Sequence, residues 1–186
     1  MADGHLQPVE IRLEDFFTKV LSVIGKTTDQ QIADLLKKSR QTVAVAESVT
    51  GGLISSRLTN IAGSSEYFIG GVVCYSSRVK VVQVGAPAAL ISQFGVVSKE
   101  TAISLAEEIR KRLRTDIGIA STGVAGPSPV PPVPVGRVYI ALASNRETEW
   151  KELNLQGNRS EIREKAAQAA LGLLWLYLGG EEIIKG

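Results

Sequence analysis

A chain of 186 residues, 44% hydrophobic and 22% charged, has the make-up of one globular domain that buries its core without disulfide help. A net charge of +2 with scattered basic residues gives no electrostatic footprint for nucleic acid, and the apolar stretch at 169–178 is too short to span a bilayer. No signal peptide is visible at the N-terminus, so a cytoplasmic location is expected.

Residues 9–24 carry Ile11, Phe16, Phe17, Val20 and Ile24 at helical spacing, closed by Gly25. Residues 1–27 are therefore assigned to a tail and helical extension, and residues 28–186 to a single domain. A second helix is predicted after Thr28, with Gln31 as capping-box partner and Ile32, Leu35 and Leu36 as its apolar face. There follow a strand at 42–47, a helix at about 51–61, a loop at 62–65, a strand near 67–76 and one or two short helices within 77–93. A helix near 99–114 is capped by Ser98, and a strand at 116–121 leads into a Gly/Pro-rich loop at 122–135. Its proline-dense part, 127–134, is expected to be extended. Strands at 137–144 and 148–155 are close enough to form a hairpin around Asn145 and Arg146, and a last helix spans about 160–178. Mixed strands and helices in this order predict a three-layer α/β/α sandwich, its sheet mixed but mostly parallel.

The lone Cys74 sits in an apolar strand-like run, where a buried structural thiol is expected, and one cysteine excludes a multi-cysteine metal site. The lone histidine, His5, lies in the polar leader. With none in the body, a Ser-His-Asp triad or a histidine-based zinc site is excluded, and any general base must be Lys, Tyr, Asp or Glu.

Four segments put polar residues at strand ends or turns, where α/β folds place their ligand crevice. The first, Glu47-Ser48-Val49-Thr50-Gly51-Gly52, is a strand feeding a tight turn and a helix. Ser48 and Thr50 there suit a nucleophile or an anion site, though for this segment alone the commoner reading is a helix cap, with the glycines making the turn. The second, Tyr75-Ser76-Ser77-Arg78-Val79-Lys80, offers a lysine whose pKa burial would lower and a tyrosine to relay the proton or hold the lysine. An exposed helical lysine is the alternative, and Glu47 is a competing base. The third, residues 121–127, is a glycine-bearing loop that fits an anion cradle but lacks Walker or dinucleotide spacing. The fourth, residues 156–160, carries Arg159, suited to a phosphate or carboxylate, or to an ion pair with Glu161 or Glu164.

Taken together, these pieces resemble the CinA C-terminal domain, or PncC-type, family of nicotinamide mononucleotide amidases. The matching residues are Ala46 to Leu53, Ala62-Gly63-Ser64-Ser65 with Tyr67-Phe68, and Gly70-Gly71-Val72-Val73 with Tyr75-Ser76 and Lys80. Gly95-Val96-Val97-Ser98, Ser121 to Pro127, Val135-Gly136-Arg137-Val138 and Gly157-Asn158-Arg159 continue the match in order. The resemblance covers roughly residues 28–178. It implies a CinA C-terminal-domain-like fold and hydrolysis of nicotinamide mononucleotide to nicotinic acid mononucleotide and ammonia, with no metal and no organic cofactor. By position it implies Ser48 as nucleophile, Lys80 as base and Tyr75 as supporting hydroxyl. Glu47, Thr50, Gly51, Gly52, Thr122, Gly123, Ala125, Gly126 and Arg159 would line the substrate site. It further implies a small-molecule nucleotide partner, no nucleic acid or membrane, and self-association, for which the apolar 9–24 helix is a candidate face. The sequence shows no molybdopterin-binding-like domain of the kind fused to longer relatives. Two departures stand out: proline-rich 128–134 replaces a glycine-rich turn, and Ser76-Ser77-Arg78-Val79-Lys80 replaces Ser-Asn-Glu-Ala-Lys. A catalytically silent nucleotide-binding or competence-associated module is the alternative class.

Overall fold

The computed structural model describes residues 26–180, so the predicted 9–24 helix and the leader lie outside the described residues. Five strands, β1 (Val43–Glu47), β2 (Phe68–Val73), β3 (Ile117–Gly123), β4 (Arg137–Ala143) and β5 (Thr148–Asn154), form one sheet in the order β2-β1-β3-β4-β5. β1 runs parallel to both β2 and β3, while β4 is antiparallel to β3 and β5. Four strands therefore share one direction and β4 opposes them.

Side-chain alternation sorts the sheet into two faces of different bulk. Val43, Val45, Ile117, Ile119, Val138, Ile140 and Leu142 face one core. Ala44, Ala46, Ala120, Ala141 and Ala143 face the other. The bulky face is covered by α1 (Lys26–Ser39), α2 (Leu53–Thr59) and α6 (Arg159–Tyr177). The small-residue face carries α3 (Ser77–Val79) running into a π-turn (Lys80–Val84), then α4 (Ala88–Phe94) and α5 (Lys99–Leu113). These are the three layers expected.

Small residues on that face let α5 come close. A Cβ on Gly118 would lie 2.1 Å from the Ala106 carbonyl oxygen, so only glycine fits beneath the helix. At the other end of α5, Ser98 Oγ accepts the Thr101 amide at 3.1 Å, the predicted cap. The β4–β5 hairpin closes as expected, with Ser144 Oγ accepting the amides of Arg146 and Glu147.

Two local expectations are corrected. The backbone of α1 (Lys26–Ser39) is helical already before Thr28, ahead of the predicted start, and Gln31 accepts the Trp175 indole N–H at 3.1 Å across to α6. The proline-dense segment is not extended. It folds back in a tight turn in which Val130 and Val133 exchange backbone hydrogen bonds of 3.1 and 2.7 Å.

Candidate active site

The parallel strands end at one level. The Ser48 amide donates to the Ser121 carbonyl at 3.0 Å and the Cys74 amide to the Glu47 carbonyl at 2.7 Å, each extending a ladder past β1. Ser48 and Cys74-Tyr75, just past β1 and β2, therefore meet Thr122-Gly123, the last residues of β3, at the carboxyl ends of the parallel strands, the usual ligand crevice of an α/β sheet.

The turn after β1 is held by Glu47. Its carboxylate is fully buried and accepts the amides of Gly52 (2.9 Å), Ile54 (3.1 Å) and Ser55 (2.9 Å), plus the Ser55 hydroxyl (2.6 Å). It satisfies the free N–H groups at the start of α2, where negative charge is favoured. Gly52 occupies the N-cap position at φ 101° and makes no side-chain cap bond. Neither Ser48 nor Thr50 is the cap, and Glu47 has no free oxygen with which to activate water.

Thr50 is also fully buried. Its hydroxyl lies 2.7 Å from Ser121 Oγ, and its carbonyl accepts Arg163 Nη2 at 2.9 Å. Gly51, at φ 59°, sits beneath that same guanidinium. Glu47, Thr50, Gly51 and Gly52 thus build the turn and do not line the cavity, contrary to their expected place as substrate contacts.

Ser48 does face the cavity, and Lys80 stands beside it. Lys80 Nζ lies 2.9 Å from Ser48 Oγ, 2.6 Å from the Cys74 carbonyl and 3.5 Å from the Tyr75 carbonyl. The side chain is 1% exposed, and burial pushes its ammonium pKa below the ordinary lysine value. The two carbonyls can only accept. A neutral amine can donate one N–H to each and turn its lone pair to the Ser48 hydroxyl. The backbone that aims Lys80 is the turn from α3 into the π-turn, opened by Ser76 Oγ accepting the Val79 amide at 3.3 Å. The departures at Ser77, Arg78 and Val79 thus leave the lysine in reach of the serine.

Tyr75 differs from expectation. Its side chain is 64% exposed, and its hydroxyl accepts Arg159 Nη2 at 2.9 Å; only its carbonyl approaches Lys80. Arg159 Nη1 also donates to the Gly126 carbonyl at 2.6 Å, so Gly126 serves by holding the arginine and does not itself line the cavity. Arg159 is the first residue of α6, whose capping box pairs Asn158 with Glu161. Of its alternative partners, Glu161 is thereby engaged in the cap.

These parts enclose a cavity of about 340 Å³, lined by Ser48, Lys80, Tyr75, Thr122, Gly123, Ala125 and Arg159 among others. That volume suits a small ligand. The Thr122 hydroxyl donates to the Val96 carbonyl at 2.7 Å, bringing the 95–97 segment in as a further wall. Val96, Val97 and Val130 had no assigned role in the sequence, nor did Arg163. The signal for Arg163 was its place one helical turn beyond Arg159. A second, wider cavity near Asp116 and Asn145 lies at the opposite end of the sheet. Among the described residues no helix is long and apolar enough to cross a membrane.

A family profile described as "CinA C-terminal domain" matches residues 25–178. A CinA-like protein of Kosmotoga olearia is 40% identical over 173 residues, covering 92% of this chain and 42% of that protein. One from Koribacter versatilis is 42% identical over 175 residues, covering 93% and 42%. The chain thus spans less than half the length of these relatives. The crystal structure of competence/damage inducible protein CihA from Agrobacterium tumefaciens superimposes with a TM-score of 0.79 at 32% identity, over 83% of this chain and 94% of that one.

Proposed function

The chain belongs to the CinA C-terminal domain family, and from that premise we propose that it is a nicotinamide mononucleotide amidohydrolase built on a serine–lysine dyad. The observation that carries this reading is the buried Lys80 amine 2.9 Å from Ser48 Oγ on the cavity wall. A buried lysine beside a serine hydroxyl, with no histidine among the described residues, is an arrangement for activating a nucleophile.

In the first half-reaction Lys80, unprotonated, takes the Ser48 hydroxyl proton as Oγ attacks the carboxamide carbon. Charge develops on the carbonyl oxygen. The Gly52 amide is committed to Glu47, and of the residues between Ser48 and Gly52 only Val49 lines the cavity, so its amide is the donor available to that charge, worth about 3 kcal/mol when well placed. Lys80 returns the proton to nitrogen, the C–N bond breaks, and ammonia leaves a Ser48 ester. In the second, Lys80 takes a proton from water, whose oxygen attacks the ester. Collapse restores the Ser48 hydroxyl and yields the carboxylic acid.

Arg159 supplies a fork for the nucleotide phosphate, held ready by Tyr75 and Gly126. The reading requires no cofactor. With it go a cytoplasmic location and assembly into a homo-oligomer. Ammonia release from nicotinamide mononucleotide tests it. Turnover supports the amidase; binding of the nucleotide without ammonia release would instead make the chain a silent nucleotide-binding module.

A further inference from the structure

The catalytic cavity does not end at Arg159. It shares Val96, Val97 and Val130 with a neighbouring groove of about 530 Å³. The floor of this groove is the outer part of the sheet, where Tyr139 of β4 and Trp150 of β5 lie. One wall is Phe94 with the 95–97 segment. The other is the tip of the 130–133 turn, with Pro131 and Pro132. Phe94, Trp150 and Val130 are 44%, 37% and 49% exposed, so this apolar lining is open to solvent.

We propose that the groove is a second base subsite, taking the purine of a pyridine dinucleotide whose carboxamide reaches Ser48. The inference rests on the amidase reading for the orientation of the ligand. It rests on the groove itself for the chemistry. Flat, weakly polar rings stack on an exposed indole and against proline rings, and such stacking is tolerant of which base is presented.

The charges along the joined cavities agree with a ligand carrying phosphates between two bases. Besides the buried Lys80, the basic side chains on the two linings are Arg159 in the first cavity and Lys99 in the groove. Lys99 Nζ lies over the Trp150 ring, 5.4 Å from its centre, so a base stacking on that face takes the place of this cation and frees it for a phosphate. Of the two acids on the groove, Glu152 is neutralised by Arg137 at 2.8 Å, and Glu100 lies 3.9 Å from Lys99. The turn that makes the second wall is the proline-rich segment in which this chain departs from the glycine-rich pattern. The subsite is thus a property of this sequence.

Two measurements on the full chain test the proposal. The first is independent of catalysis. Trp150 is exposed and the other tryptophan, Trp175, is 3% exposed, so titration with adenosine monophosphate should change tryptophan emission through Trp150. The change should persist in Ser48→Ala and disappear in Trp150→Ala. The second compares ammonia release from the dinucleotide and the mononucleotide. Trp150→Ala should lower kcat/KM for the dinucleotide about tenfold more than for the mononucleotide, the scale of one lost stacking contact. An emission change without ammonia release from either nucleotide would retire the amidase reading and leave the subsite standing. No emission change, equal losses on both substrates, or dissociation of an oligomer by Trp150→Ala would overturn the subsite.

Discussion

Ser55 gives Glu47 both its hydroxyl, at 2.6 Å, and its backbone amide, at 2.9 Å. With the Gly52 and Ile54 amides, the buried carboxylate faces donors only. Glutamine keeps the shape but has one acceptor and brings an NH2 against an N–H. Glu47→Gln should therefore lose about 1–3 kcal/mol of stability from the unsatisfied group. Ser48→Ala, one residue away, should melt close to wild type. Urea denaturation of both variants reads the difference. Equal stability of Glu47→Gln and wild type would refute this structural role.

Burial lowers the Lys80 pKa, which fixes the sign of two pH effects. The neutral amine is the base, so kcat/KM should rise with pH along a limb whose midpoint lies below the ordinary lysine value of about 10.4. Lys80→Arg, cationic throughout, should be inactive at every pH. For stability, the folded chain binds fewer protons than the unfolded chain between the lowered pKa and the ordinary one. Burial of the cation therefore costs fully below the folded pKa, and stability recovers as pH rises through the window. Lys80→Met should stabilise the fold at neutral pH, and its advantage should shrink towards alkaline pH.

The hydroxyl of Tyr75 braces Arg159 and does not reach Ser48 or Lys80. Tyr75→Phe removes one hydrogen bond to a charged group, a contribution of about 1.5–3 kcal/mol at most. Steady-state kinetics should show KM raised by about tenfold and kcat within a few-fold of wild type. A collapse of kcat at unchanged KM would give the hydroxyl a part in proton transfer.

Gly118 has no room for a side chain, because the Ala106 carbonyl oxygen of α5 would lie 2.1 Å from its Cβ. Gly118→Ala should push α5 off β3 and cost about 1–3 kcal/mol or more by overpacking. A denaturation midpoint equal to wild type would contradict the packing described for this face.

Much of this architecture could be read from residue patterns. The strand ending at Glu47 and the alternation of Val and Ala in β1 have a period of two, and Ser98 caps its helix by a local rule. The roles of single side chains at the site were less legible, because they depend on partners far apart in the chain. Glu47 reads as an acid beside a serine, and only the fold turns its carboxylate to the start of α2. Thr50 reads as a cap until Ser121, from β3, takes its hydroxyl. Tyr75 and Lys80 share a segment, yet Tyr75 points to Arg159, 84 residues away. The 127–134 prolines suggested an extended loop; the mutual bonds of Val130 and Val133 close it into a turn.

The central claim is that Ser48 attacks the carboxamide with Lys80 as its base. Mass spectrometry of enzyme quenched in acid during turnover of nicotinamide mononucleotide tests it directly. The account predicts an adduct of the nucleotide less ammonia on the peptide bearing Ser48, absent from both Ser48→Ala and Lys80→Ala. Ammonia release that persists in Ser48→Ala, with no adduct in wild type, would contradict it.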